Sequence, residues 1–196
     1  PVVSLVTEPN NLWSSTSGIY VAGGDREEGT RDRSANYFQD WERKANISFF
    51  ELDGTGFTGP CGIKIYGSNS RKQPKKSLSV LFRGSYGLSE LNYPLFGDAG
   101  VDTYESFILR AGGQDAFWSR IRDELITSIA AEHTDIAVQK YRSVVVYLNG
   151  EYFGLHHVRE KISEHYVAAN YNVPAETVTM AEGNGTRAAS FKALVQ

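Results

Sequence analysis

VVVYLNGEYFGLHHV, residues 144–158, carries the strongest local structural signal in this chain. Two runs rich in β-branched and aromatic residues flank the dipeptide Asn149-Gly150. Asn-Gly in this setting specifies a two-residue type I′ turn, because both central residues of that turn need positive φ angles. The stretch therefore predicts a tight antiparallel β-hairpin.

Other segments on both sides of the hairpin also predict strands. Their runs are short and β-rich, or they alternate between apolar and polar residues as a half-buried strand does. These segments are 2–6, 18–21, 46–52, 63–66, 76–82 and 107–110. The polar stretches 23–33 and 67–75 predict loops, and we expect the first to be exposed to solvent.

A helical period replaces the strand pattern over residues 119–133. Ile121, Leu125 and Ile129 fall at i, i+4 and i+8, which predicts an apolar stripe that faces the core. Ser119 is the predicted N-cap. Shorter helices are expected at 163–170 and 188–195. The fold class predicted from these patterns is α+β, with a mainly antiparallel sheet and packed helices, one of which covers a face of the sheet.

Composition excludes several classes of protein. The chain has 196 residues, of which 41% are hydrophobic and 12% aromatic, so it can bury a core and is not expected to be disordered. No apolar run reaches the roughly 18–20 residues of a membrane span. A single cysteine excludes a disulfide framework and a Cys-rich zinc site. The net charge of −3 argues against a nucleic-acid partner.

The common catalytic motifs are absent from the sequence. It contains no GxxxxGK[ST] phosphate loop, no GxSxG elbow and no HExxH zinc pair. His156 and His157 are adjacent on a predicted strand, so they point to opposite faces and cannot share a metal ion. The residues alone therefore assign no catalytic residue and no metal ligand.

GSNSRKQPKKSLSVLF, residues 67–82, is a more informative polar stretch because it places several cations around a loop that leads into a strand. If Leu78 and Phe82 face the core, Lys76 lies on the same face and Lys75 on the opposite one. A lysine on the inner face must find an anion or reach solvent, and a phosphate would suit it. Alternatively, Lys76 pairs with a structural carboxylate or extends to the rim.

Two more clusters of mixed charge follow predicted strands, at 110–115 and 159–161. The predicted helix adds Arg120, Arg122 and Asp123 to the first cluster. Together with the basic loop these clusters could converge on one rim, or they could form separate surface ion pairs that contribute little stability. Periodicity alone leaves both arrangements open.

Read in order, these segments resemble the spore-coat protein H (CotH) kinase-like family. The likeness covers nearly the whole chain, and its motifs follow the order of the family. They are GIYV (18–21), KKS (75–77), YPLF (93–96), LRAGGQD (109–115), RD (122–123), VYLNGEYFGLHHVREKI (146–162) and HYV (165–167).

This resemblance implies an atypical kinase-like fold, in which a β-rich lobe and a helical lobe hold ATP and Mg²⁺ between them. Residues 1–196 would correspond to the β-rich lobe of that CotH kinase-like domain. By analogy, Lys76 resembles the strand lysine that contacts nucleotide phosphates. Glu160 is the carboxylate expected to orient Lys76, and Arg71 would add further positive charge for phosphate.

The sequence departs from the family in one respect. Phosphoryl transfer needs carboxylates for Mg²⁺, and in the family these lie downstream around a Trp-Asp-x-Asp-like segment. No such segment occurs here, and the last tryptophan is Trp118. We therefore expect residues 1–196 to be truncated before the helical catalytic lobe and to lack phosphotransfer activity alone.

Two functions follow from the resemblance. The first is an ATP-dependent protein kinase that transfers phosphate to Ser/Thr of surface or coat proteins, with this chain as its nucleotide-side fragment. The alternative is a catalytically inactive binding or assembly module on the same scaffold. For both, the resemblance implies a protein partner and a location outside the cell, at the cell surface or in the spore coat.

Overall fold

The computed structural model describes residues 1–97 and 101–180. The chain divides into two compact units, Pro1–Glu160 and Lys161–Gln196. The strands and the candidate site described below all belong to the first unit. The second unit contains a helix, α3 (Glu164–Tyr171), and a short 3-10 turn, Ala175–Thr177.

The first unit contains nine strands among its described residues. In chain order they are β1 (Val2–Val6), β2 (Glu42–Phe50), β3 (Gly56–Tyr66), β4 (Ser77–Leu81), β5 (Leu91–Asn92), β6 (Thr103–Tyr104), β7 (Ser106–Arg110), β8 (Tyr141–Leu148) and β9 (Glu151–Glu160). Two α-helices join them, α1 (Pro9–Trp13) and α2 (Arg122–His133). Short 3-10 turns lie at Asn36–Phe38, Asn69–Lys72, Gly84–Tyr86 and Gly113–Asp115.

Seven of these strands close into a barrel in the order β1-β2-β3-β4-β7-β9-β8. Every neighbouring pair is antiparallel except β1 and β8, whose parallel pairing closes the ring. The remaining two strands, β5 and β6, form a separate two-stranded sheet. Closure pairs both edges of the sheet, which leaves no long edge strand open to other chains.

The core fills the inside of the barrel with alternate residues of successive strands. β1 contributes Val3 and Leu5, and β3 contributes Cys61, Ile63 and Ile65, each no more than 1% exposed. This alternation is what a strand with one apolar face must show, because successive side chains point to opposite faces. Burial raises the pKa of the Cys61 thiol to about 12, so this cysteine is an apolar core residue.

The hairpin at 144–158 is confirmed. β8 and β9 pair antiparallel, and the two residues that connect them, Asn149 and Gly150, have φ angles of 51° and 84°. Both angles are positive, as a type I′ turn requires. The strand predictions at 2–6, 46–52, 63–66, 76–82 and 107–110 are also confirmed, with shifted ends.

The strand prediction at 18–21 is wrong. These residues form a turn in which the Ile19 and Tyr20 amides donate to the carbonyls of Asn11 and Leu12 at the end of α1, at 2.9 and 3.0 Å. Their backbone groups therefore have partners in the preceding helix and none in a sheet. Ile19 and Tyr20 are nevertheless buried, which explains why the segment is apolar.

The prediction for the helix over 119–133 is correct in type and wrong in orientation. α2 starts at Arg122, and Ser119 is not its N-cap; the Arg122 amide donates to the Asp115 carboxylate at 3.2 Å. The stripe Ile121, Leu125 and Ile129 is about half exposed, at 49%, 54% and 50%. The helix that was expected to cover the sheet therefore does not bury its apolar face there.

The α+β fold class is confirmed in its coarse form, and the mainly antiparallel sheet is closed into a barrel. The predicted helix at 163–170 is confirmed as α3, where the Ser163 hydroxyl accepts from the Tyr166 amide. The predicted helix at 188–195 lies outside the described residues. Within the part of the chain that the structure describes, no helix has the length and apolarity to cross a membrane.

Candidate functional site

Lys76 occupies the position that strand parity predicted. It directly precedes β4, where Leu78 and Val80 belong to the core, and it is only 2% exposed. Its backbone amide donates to the Tyr20 hydroxyl at 2.6 Å. The entrance to β4 is therefore fixed by a side chain from a turn more than fifty residues earlier.

The Lys76 ammonium is surrounded by aromatic rings and a carbonyl. Nζ donates to the Gln73 carbonyl at 2.7 Å and lies 4.5 Å from the centre of the Tyr37 ring and 5.2 Å from that of Tyr20. Ring faces attract cations electrostatically, and more strongly when water is excluded. The ammonium thus has partial compensation for its burial, and no carboxylate among the described residues forms a salt bridge with it.

Burial lowers the pKa of the Lys76 ammonium from 10.5 to about 8, and the charge of the Glu28 carboxylate opposes that shift. At pH 7 the side chain is still positively charged. A cation in a site of low polarity attracts an anion more strongly than a cation in water does. The site is therefore chemically suited to bind a phosphate or carboxylate.

A cleft of about 620 Å³ opens at this lysine. Its apolar lining comes from Trp13, Tyr20, Val21, Pro74 and Phe153, and its polar lining includes Glu28, Lys72, Gln73 and Lys76. The Tyr20 ring makes edge contacts with Trp13 at 5.1 Å and with Phe153 at 5.5 Å between ring centres. The cleft therefore combines a platform of aromatic rings with a buried cation.

Glu28 reaches the cleft from the charged loop at 23–33, which was predicted to be a solvated surface loop. Its carboxylate accepts from the Ala22 amide at 2.6 Å, and the Tyr37 hydroxyl donates to the Thr30 carbonyl at 2.8 Å. At Gly23, φ is 78° and a Cβ would lie 2.3 Å from Asn36. Much of the loop is exposed, but these contacts hold it against the barrel.

Sequence reasoning missed Glu28, Tyr20 and Tyr37 as residues of the site. The glycines and charges of 23–33 are common in solvated loops, and tyrosines are common in cores. One available signal was the presence of an inner-face lysine, which requires polar or aromatic partners from elsewhere in the chain.

Arg71 lies outside the lining of the cleft. Its guanidinium donates to the Gly67 carbonyl at 2.5 Å and to the Phe38 carbonyl at 3.3 Å. These bonds tie the loop before β4 to the turn at Asn36–Phe38. In this structure Arg71 supports the loop that carries Lys76.

Glu160 is not brought next to Lys76. Leu78 pairs with Leu109, and Leu109 pairs with Val158, so Lys76 is level with His156 across the sheet. Glu160 lies four residues further along, about 13 Å in the strand direction. Its carboxylate instead accepts from the Lys140 amide at 2.8 Å.

Two of the three mixed-charge clusters converge beneath α2. Arg110 donates to the Asp123 carboxylate, and Arg159 lies 3.7 Å from both Asp123 and Glu124. Arg159 and Glu124 are buried, at 7% and 2% exposure. Ion pairs that are this well shielded from water are screened less than surface pairs, so the cluster fixes α2 on the barrel.

His156 and His157 lie on opposite faces of β9, as predicted. His156 stacks on Phe153 inside, whereas His157 contacts the Tyr141 ring and the Arg120 carbonyl outside. Burial, followed by the Lys75 charge, lowers the pKa of His156 to about 3, so it is neutral. Across residues 1–97 and 101–180, no three His, Cys, Asp or Glu side chains group closely enough to hold a metal ion.

The fold and cleft define a barrel protein with a buried cation beside an aromatic-lined cleft. The model of the CotH kinase protein family matches residues 63–194, two thirds of the sequence. The chain belongs to this family, as its motifs suggested. The match includes Lys76 but not Tyr20, Glu28 or Tyr37, which precede it. A search of curated proteins found no match.

Proposed function

We propose that this chain is the nucleotide-binding part of an ATP-dependent protein kinase of the CotH type, and that Lys76 binds a phosphate group of the nucleotide. The observation that carries the proposal is the buried Lys76 ammonium at a cleft with both aromatic and cationic lining. Membership of the CotH kinase family supports a kinase-like function.

The residues around the cleft fit the two halves of a nucleotide. Trp13 and Tyr20 offer ring surface for a planar base, since base–aromatic stacking tolerates any base. Lys76 and Lys72 offer positive charge for phosphates, as phosphate-binding lysines do by acting as point charges. In this proposal Glu28 takes the orienting role that the resemblance suggested for Glu160, because its charge acts on the Lys76 ammonium.

Phosphoryl transfer also requires a metal ion, and the proposal does not assign a site for it. The described residues provide no cluster of metal ligands, so we assign no Mg²⁺ site and derive no step through the ion. What the chain supplies is a fixed positive charge for phosphate and an aromatic surface for the base. For a kinase of this type, the acceptors would be Ser/Thr side chains of surface or coat proteins, outside the cell or in the spore coat.

Titration calorimetry with ATP, with and without Mg²⁺, tests the proposal. We expect the unaltered chain to bind ATP and Lys76→Ala to lose the binding, because the variant removes the only cation that is buried in the described part of the cleft. Lys44→Ala is the matched control, since Lys44 is exposed on β2 and does not line the cleft. Unchanged ATP affinity in Lys76→Ala would overturn the assignment.

A binding or assembly module is the second candidate, and one specific observation favours it. The apolar side chains of α2 are exposed, which is typical of a surface that contacts another molecule. An assay of phosphate transfer to Ser/Thr peptides separates the two functions when it is combined with the titration. ATP binding without transfer fits a nucleotide-side fragment, whereas a properly folded chain with neither property fits the module.

A further inference from the structure

Lys76 presents its amine at the wall of a cleft that a small molecule can enter. The residue is 2% exposed, yet it contributes to the lining of this cleft, whose volume is about 620 Å³. The hydrogen bond of Nζ to the Gln73 carbonyl and its contacts with the Tyr37 and Tyr20 rings hold the amine in place. None of the salt bridges among the described residues includes Lys76. No described salt bridge therefore has to break before a ligand reaches this nitrogen.

These surroundings favour the neutral amine of Lys76 over its ammonium. Burial lowers the pKa of Lys76 to about 8, although the charge of Glu28 opposes the shift. At pH 8 about half of Lys76 is therefore neutral, roughly a hundredfold more than for a lysine with an ordinary pKa. Only the neutral amine has a lone pair with which to attack an electrophile, which is why lysines in apolar pockets serve as Schiff-base nucleophiles. Lys76 thus combines the position and the protonation state of a nucleophile.

The other side chains of the cleft indicate which electrophile fits beside this amine. Trp13, Tyr20 and Phe153 line the cleft with aromatic rings, against which a planar ring packs well. Lys72, on the 3-10 turn before β4, supplies a second cation, and a lysine binds phosphate as a point charge. The volume lies within the range of small-molecule sites. The matching electrophile is an aromatic aldehyde that carries a phosphate group.

We propose that Lys76 is a nucleophilic amine that forms a reversible Schiff base with a phosphorylated aromatic aldehyde in this cleft. Nζ attacks the carbonyl carbon, so that a C–N bond forms and the carbonyl electron pair moves to the oxygen. One amine proton passes to that oxygen. The hydroxyl then leaves with the second amine proton as water, and a C=N double bond remains. Nothing is oxidised or reduced, so the step needs no co-reactant besides the aldehyde.

The Schiff base gives the cleft a second function besides nucleotide binding. It uses the nitrogen of Lys76 as a nucleophile, whereas the proposed nucleotide site uses the same nitrogen as a positive charge. An aldehyde bound covalently at Lys76 would therefore exclude ATP from the cleft, and hydrolysis of the imine would release it again. The nucleophilic role does not depend on nucleotide binding, so each of the two roles can fail while the other holds.

Labelling with pyridoxal 5′-phosphate at pH 8 tests the proposal with the chain of residues 1–196. Borohydride converts the imine into a stable secondary amine, and peptide mass mapping then locates the label. We expect about tenfold more label on Lys76 than on Lys44, which is exposed on β2. Equal labelling of the two lysines in the unaltered chain would overturn the proposal, and this result requires no variant to fold.

Lys76→Arg separates the nucleophile from the charge, because a guanidinium keeps the positive charge and forms no Schiff base under these conditions. We expect this variant to lose the label of the cleft, whereas Lys44→Arg, the matched control, keeps it. Circular dichroism melts confirm that both variants are folded. A folded Lys76→Arg variant that is labelled to the same total extent as the unaltered chain would contradict the assignment.

Two further arms test the ligand class and separate the two roles of Lys76. Pyridoxal, which lacks the phosphate, should label Lys76 several-fold less, and Lys72→Gln should lower labelling by pyridoxal 5′-phosphate to that level. Equal labelling by both aldehydes would overturn the phosphate requirement. ATP should protect Lys76 from the label if both roles hold. Labelling of Lys76 that ATP does not reduce would support the nucleophile and contradict the nucleotide site, whereas ATP binding without labelling would do the reverse.

Discussion

Lys76 carries its charge at a buried position, where a charge destabilises the folded state. Its ammonium is buried among Tyr20, Tyr37 and the Gln73 carbonyl, and no described salt bridge neutralises it there. A buried charge without a paired counter-charge destabilises the folded state. Proteins tolerate such positions at functional sites, where the same charge binds a ligand. The free energy of unfolding can therefore distinguish a functional lysine from a structural one.

We expect Lys76→Met to raise the free energy of unfolding by about 1–3 kcal/mol at pH 7, since a pKa lowered from 10.5 to about 8 marks a disfavoured charge. The unfolded lysine holds its proton up to about pH 10.5, and the folded one releases it above about pH 8. The unaltered chain consequently gains stability as pH rises between these values.

The increase in unfolding free energy that Lys76→Met brings should therefore be largest below pH 8 and should decrease as pH rises toward 10.5. Urea unfolding at pH 7, 8 and 9.5 measures the difference in unfolding free energy, with Lys44→Met as the exposed control. A variant that is less stable than the unaltered chain at pH 7 would assign Lys76 a structural role. That role is the alternative that the sequence left open.

At the scale of the element, β8 and β9 show how a dipeptide determines a hairpin. Asn149 and Gly150 both adopt positive φ, and pairing continues on either side of the turn. Positive φ brings the Cβ of a residue into steric conflict with the backbone, and this conflict destabilises Asn less than most other residues. The hairpin forms from local sequence because its turn, its strand propensities and its pairing agree.

Gly150→Ala should lower the free energy of unfolding by about 1 kcal/mol, because φ is 84° there while no atom lies within 4 Å of the new Cβ. The cost is thus one of backbone conformation alone. Gly84→Ala is the matched control, since its Cβ also has open space and its φ is not positive. Thermal melts of both variants measure the difference, and equal melting temperatures would contradict the explanation.

α2 shows the opposite case, in which periodicity gives the element but not its orientation. The stripe of Ile121, Leu125 and Ile129 predicts a helix correctly, yet the tertiary structure turns Glu124 inward. The reason is the pair of arginines on β7 and β9, Arg110 and Arg159, which require carboxylates where the helix meets the barrel. The spacing of apolar residues along the helix contains no information about these two arginines, so it could not predict which side of α2 faces the barrel.

For the whole molecule, the parallel pairing of β1 with β8 closes the barrel. The first residues of the chain pair with Phe50 to Asn46 on one side and with Val145 to Leu148 on the other. The contacts with β8 join parts of the chain that are 143 residues apart. Their loss would expose two strand edges and open the core.

Val3→Asp should abolish cooperative unfolding, since Val3 is fully buried in the barrel and an unpaired carboxylate cannot be accommodated there. Val6→Asp is the control on the same strand, because Val6 is 51% exposed, and we expect a change within about 0.5 kcal/mol. Circular dichroism melts follow both variants. A cooperative transition in Val3→Asp near that of the unaltered chain would contradict the role of β1 in closure.

The sequence by itself determined the local features of this protein. The type I′ turn at Asn149-Gly150, most of the strands, the parity that places Lys76 inward and the membership of the CotH kinase family all follow from neighbouring residues or from motifs in order. The tertiary structure decided the closure through β1, the exposed face of α2, the contacts of Arg71 and Glu160, and the placement of Glu28, Tyr20 and Tyr37 around Lys76. Periodicity and turn chemistry act over a few residues, whereas these features depend on contacts between distant segments, whose geometry exists only after the barrel has closed.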